Sequence, residues 1–190
     1  MQKEVIAVDH GSCNYRRFLD GDENGLVAII HDYKDGLILY LNSIVNNLHA
    51  AEELAEDTFV KLGVKKPRDN GKGAFKTWLY TMGRHLAIDY LRRQRKIEVL
   101  SLESEMTAEE YSLESAFLRD ERNKILHQAM RRLKPEYGQV LWLVYFEGFS
   151  LRQVAKVMNK SVHATETLVY RARLSLKTVL TKEGFDDEKL

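Results

Sequence analysis

Cysteine and proline are nearly missing: Cys13 is the only cysteine, and there are 2 prolines in 190 residues. A single thiol excludes an intramolecular disulfide, which fits a reducing cytoplasm. His10 lies three residues before Cys13, but two such groups fall short of a zinc site. Neither a metal site nor a cofactor is expected. Long apolar runs are also lacking, and none approaches the length of a membrane span, so no membrane insertion is expected. The N-terminus shows no basic flank leading into an apolar block, which argues against a signal peptide and for a cytoplasmic location. An excess of one charge is missing too, because 29 Lys+Arg balance 28 Asp+Glu to a net +1. Any nucleic-acid surface must therefore come from uneven placement of charge.

What is present is apolar periodicity. Hydrophobic residues make up 44% of the chain, enough for packed cores. They recur at helical spacing almost throughout, and no segment sustains strand alternation. The expected fold class is all-α. Residues 1–14 read as a loose N-terminal extension. From Tyr15 to about Asn47 the pattern fits two helices, punctuated at Gly21 to Gly25 and again near Asp35-Gly36. Ala51 to Leu62, AEELAEDTFVKL, reads as an acidic amphipathic helix with Leu54, Ala55, Thr58, Phe59 and Leu62 on its inner face. A turn-rich loop, KKPRDNGKG, precedes a long helix from Phe75 to about Lys96. Between Ile97 and Leu118 there is no lysine or arginine but there are six glutamates. That switch from basic to acidic marks a linker at 97–119 and splits the chain into two small helical domains, 15–96 and 120–182. An acidic tail, 183–190, closes the chain. The second domain reads as four helices: Asp120 to Lys134, Glu136 to Glu147, Leu151 to Met158 and Val162 to Thr181.

Two segments carry nucleic-acid chemistry. In SLRQVAKVMNKSVHATETLVYRARLSLK, Ser150 and Gln153 make a capping box, and Asn159 stands at a turn where left-handed backbone is needed. Ser161 caps the next helix. Its outward face carries His163, Thr167, Tyr170, Arg171 and Lys177, a mixture suited to a major groove. The other segment, FKTWLYTMGRHLAIDYLRRQRK, holds Lys76, Arg84, Arg92, Arg93, Arg95 and Lys96 against Asp89 alone. Phe75, Trp78, Tyr80 and Tyr90 are interleaved with those cations. Aromatics stack on unpaired bases while cations hold phosphates, a pattern for melting DNA. Phe75 and Leu79 also read as core residues, and Trp78 and Tyr80 fit either role. The loop before it, with Arg68, Asn70 and Lys72, could receive an extruded base.

The long basic helix resembles the one with which extracytoplasmic-function (ECF) sigma factors melt and read the minus-ten promoter element. AEELAEDTF resembles the helix that docks on the polymerase clamp. LKPEYGQVLWLVYFEGFSLRQVAKVMNKSVHATETLVYRARLSLK resembles the family's minus-thirty-five-reading domain. The three motifs stand in the family's order and cover the chain from about Tyr15 to Thr181. The resemblance implies that Glu53, Leu54, Glu56 and Asp57 bind polymerase. It implies that Trp78, Met82, His85 and Asp89 face the minus-ten element, with Lys72, Arg84, Arg92 and Arg93 adding cations. It places Thr167, Tyr170 and Arg171 on the minus-thirty-five element. His85 stands where asparagine is usual, and Glu166 and Leu168 replace commonly basic residues. The implied partners are core RNA polymerase, promoter DNA and an anti-sigma factor.

Two rival readings remain to be weighed. A stand-alone helix-turn-helix regulator would bind duplex DNA without polymerase, but it would leave the acidic and basic helices of the first half without a task. An enzyme would need converging catalytic groups, and the row Glu52, Glu53, Glu56 and Asp57 has none beside it. The expectation is a non-enzymatic protein.

Overall fold

The computed structural model describes residues 10–67, 74–100, 126 and 128–182. Every regular element among them is helical. Helix α1 (His10–Leu19) begins inside the stretch read above as a loose extension. It does so because Tyr15 and Phe18 have a hydrophobic partner to bury against. Gly21, at φ 101, then breaks the helix. Arg17 closes the break by donating from Nε and Nη2 to the Asp22 carboxylate at 3.0 and 2.6 Å. That guanidinium holds the Asp22 carboxyl below its ordinary range.

Helix α2 (Asn24–Val45) runs unbroken through Asp35 and Gly36, where the sequence suggested punctuation. The first of the two expected helices is therefore α1, and the second is all of α2. A Cβ on Gly25 would meet the Asn14 carbonyl oxygen at 2.3 Å and the Phe18 nitrogen at 2.7 Å. Glycine at that position is what lets the backbones of α1 and α2 come together. Asn46, in the left-handed conformation at φ 51, ends α2. Asn47 then accepts from the Ala50 backbone N–H at 2.9 Å and starts α3 (Leu48–Lys65). The acidic helix is thus three residues longer at each end than its apolar pattern indicates.

Helix α4 (Phe75–Leu100) is the long basic helix, and it extends four residues into the expected linker. The remaining linker, the loop at 68–73, most of the helix expected from Asp120 and the acidic tail lie outside the described residues. Residues 128–131 are helical and lead to α5 (Pro135–Leu141). A π-helical turn follows at Trp142–Phe146, in place of the last turns of the α-helix expected to Glu147. Helices α6 (Leu151–Met158) and α7 (Val162–Lys182) complete the order.

Ile29, Leu37, Leu41, Leu62, Phe75 and Leu79 are fully buried between α2, α3 and α4. Each contributes about 1.5–3 kcal/mol relative to exposure. The core continues into the second half: Val140, Leu141, Leu143, Val154 and Val157 are buried in the same cluster. Helix α4 packs on α6, and α2 packs on α5.

Candidate nucleic-acid interface

The helix-turn-helix is built by local chemistry. The Ser150 backbone N–H donates to Gln153 Oε1 at 2.9 Å, and the Gln153 backbone N–H returns to Ser150 Oγ at 3.4 Å, forming the capping box. Asn159 takes the left-handed conformation at φ 53 and ends α6. Ser161 Oγ accepts from the Ala164 N–H at 3.1 Å and starts α7. Thr165, Val169 and Ala172 are buried beneath α7, while Leu176 is half-buried. Val162, placed on that inner face by periodicity, is exposed as the first residue of the helix.

The opposite face is open. His163, Tyr170, Arg171 and Lys177 are exposed, and Thr167 is half-buried, bonding through Oγ1 to the His163 carbonyl at 3.1 Å. Tyr170 is 64% exposed, a large aromatic left open to solvent among the described residues. Glu166 lies 3.8 Å from the His163 ring. This places one carboxylate within a face that is otherwise neutral or cationic.

On α4 the predicted residues divide by burial. His85, Asp89, Arg92 and Arg93 are exposed near its C-terminal half. Arg92 pairs with Asp89 at 3.4 Å, and Arg93 Nε donates to the Asp89 carbonyl at 3.4 Å. The Asp89 turn therefore orients both cations along the surface. Trp78 is half-buried, with its ring 5.4 Å from Tyr15 and 5.7 Å from Phe75. Met82 lies in the core, not on the surface. Arg84 is half-buried, and its Nε has no hydrogen-bond partner among the described residues. Lys72 lies outside the described residues. The aromatic pattern is only partly a stacking surface, because Phe75 and Tyr80 are buried.

On α3, Glu53, Glu56 and Asp57 are exposed, while Leu54 is buried and anchors the helix. The His49 ring lies 3.4 Å from Glu53. Val60 and Val64 extend the exposed side of this helix with apolar surface at 58% and 77% exposure. Carboxylates beside uncovered valines suit a protein partner better than a nucleic acid, which the carboxylates would repel.

One arrangement was not foreseen from sequence. The Glu147 carboxylate is almost fully buried where the two halves meet. Lys76 Nζ lies 2.8 Å from Glu147 Oε2 and also donates to the Glu147 carbonyl at 2.9 Å. The Tyr80 hydroxyl donates to Oε2 at 2.7 Å, and Trp142 Nε1 donates to Oε1 at 3.2 Å. Lys76 also lies 5.2 Å above the Phe149 ring, which meets Tyr80 edge-on at the same separation. The one sequence hint was a lone carboxylate closing the apolar run WLVYF before Gly148.

A basic surface helix followed by a capped helix-turn-helix on one shared core is a transcription-factor architecture. Known proteins give it a class. Sigma-70 region 2 matches residues 29–97, and Sigma-70 region 4 matches residues 123–176. RNA polymerase sigma factor YlaC of Bacillus subtilis is 31% identical over 157 residues, covering 81% of this chain and 91% of that protein. ECF RNA polymerase sigma factor SigW of the same organism is 26% identical over 170 residues, covering 84% and 91%. The fold is that of CnrH in its complex with the cytosolic domain of CnrY, at TM-score 0.67 and 18% identity over 91% of this chain and 98% of that one. A second structure, sigma factor RpoE with anti-sigma factor NepR from Bartonella quintana, aligns at TM-score 0.60 and 21% identity over 76% and 89%. The chain belongs to the ECF family of RNA polymerase sigma factors. The region 2 match gives the first half its place in this family and sets aside the stand-alone regulator. Sigma factors as a class are not catalysts, and no described helix is long and apolar enough to cross a membrane.

Proposed function

We propose that this chain binds core RNA polymerase through the exposed carboxylates of α3 and directs it to promoters. On this reading, α4 contacts the melting minus-ten element through Trp78, His85, Arg92 and Arg93. Helix α7 reads the minus-thirty-five element through Thr167, Tyr170 and Arg171. The protein acts in the cytoplasm, performs no catalysis itself and is held in check by an anti-sigma factor, as the RpoE–NepR pair is by its description. The two halves act as modules, 15–96 and 120–182, joined by the acidic segment.

The observation that supports this best is the pairing, in one chain, of an exposed cationic end on α4 with a capped helix-turn-helix whose outer face is open. One surface suits separated strands and the other a closed groove. Together they match the two states a promoter passes through. The test is transcription by core polymerase with and without the protein, with 5′ ends mapped by sequencing. Discrete starts sharing two upstream elements are expected. Duplex binding that needs no polymerase, with no protein-dependent starts, would overturn the reading.

A further inference from the structure

We propose that Glu147 is a latch that holds the two halves of this chain closed, and that it must release before both promoter elements can be engaged. The functional half of this inference rests on the promoter reading above. The latch itself rests on geometry. Glu147 belongs to the second half, yet two of its three side-chain partners, Lys76 and Tyr80, stand on α4 in the first. Lys76 and Tyr80 are one turn apart, so they present a cation and a hydroxyl on one line of the helix. Phe149 packs on the same Tyr80 ring, placing α6 directly against α4.

Gly36 shows how closely this junction is fitted. A Cβ there would lie 2.7 Å from the Tyr80 hydroxyl and 2.9 Å from Glu147 Oε1. Glycine inside a helix costs about 1 kcal/mol against alanine. The reason lies across the helix, where the Tyr80 hydroxyl of the first half and the Glu147 carboxylate of the second meet over this position.

Distance makes the closed form incompatible with simultaneous reading. Elements centred at minus ten and minus thirty-five are 25 base pairs apart, about 85 Å of straight duplex at about 3.4 Å each. A closed chain of 190 residues has a radius of gyration of about 16 Å and is roughly 40 Å across. Helices α4 and α7 cannot reach both elements while Glu147 holds α6 on α4. Opening is thus a required step, and the strength of the latch sets how much of the protein is competent.

The test uses the full chain with two readouts. Small-angle scattering measures closure without polymerase, and transcription with limiting protein measures competence. Gly36→Ala favours the helix, but its methyl crowds the Tyr80 hydroxyl and the Glu147 carboxylate, so the hydrogen bond between them must shift. The substitution should enlarge the radius of gyration, keep the helical content and raise transcript yield about threefold or more. Lys76→Glu should also expand the protein, because it sets two carboxylates against each other. Unchanged radii in Gly36→Ala and Lys76→Glu would overturn the latch. Expansion without any gain in transcript would overturn its role as the barrier to promoter use. If the wild type drives no transcription, the promoter reading falls, and scattering alone decides whether the closed form depends on Glu147.

Discussion

At the scale of single residues, the outer face of α7 separates readout from attraction. Arg171 is exposed one turn beyond Thr167 and beside Tyr170, whereas Lys177 lies about three turns beyond Thr167. If Arg171 is bidentate to a guanine, Arg171→Ala costs about 1–3 kcal/mol on the cognate site and relaxes preference at one position. Lys177→Ala should instead weaken all sequences alike and lower the salt slope by roughly one unit. Binding to single-base variants at two salt concentrations distinguishes these outcomes. Identical specificity profiles for wild type and Arg171→Ala would place the reading residue elsewhere. This face was legible because helical spacing alone separates Thr165, Val169 and Ala172 from His163, Tyr170 and Arg171. Met82 was not, because resemblance assigns a position a role without saying which side of the helix faces out. In this fold it points into the core, as does Leu54, which periodicity had already placed on the inner face of its helix.

Among the elements, α3 carries the prediction most easily separated from stability. Glu53 and Asp57 are exposed and support no core contact, so reversing both to lysine should leave the helix intact. It should also abolish capture by core polymerase, because two carboxylates become two cations on one face. A pull-down measures capture, and circular dichroism checks the fold. Retained affinity with normal helicity would remove α3 from the docking surface. The helix-turn-helix was read almost to the residue, since a capping box and a left-handed asparagine are settled by neighbours in sequence. Helix α2 was not. Gly36 looks like a stop within any local window, and the atoms that crowd it, the Tyr80 hydroxyl and the Glu147 carboxylate, are both distant in sequence. The π-helical turn was equally hidden, because the apolar run WLVYF satisfies either helical register.

For the molecule as a whole, the shared core makes stability sensitive to alkali. Burial raises the Tyr40 and Tyr80 hydroxyls above the ordinary value of about 10, and for Tyr80 the neighbouring Glu147 carboxylate adds to the effect. The unfolded chain ionises both tyrosines near pH 10, while the folded chain keeps them neutral. Their contribution is therefore complete below about pH 10 and is lost as pH rises above it. The loss is up to about 1.4 kcal/mol per pH unit for each tyrosine. Urea midpoints between pH 8 and 11 should show this decline. Tyr40→Phe, which removes a hydroxyl unpartnered among the described residues, should make the decline shallower at small cost. A decline of unchanged steepness would exclude Tyr40 as a source. The wide turn at Trp142–Phe146 has a different kind of consequence, one of counting. It accommodates a residue more than an α-helical turn would, and the Glu147 N–H reaches back five positions to Trp142. Deleting one residue there would rotate everything downstream by about 100° relative to α5. Glu147 would then face away from Lys76, although no residue on either side had changed. In a lineage descending from this chain, the loss of a single codon in this turn would part Glu147 from Lys76 and Tyr80 while every residue of the junction is still encoded.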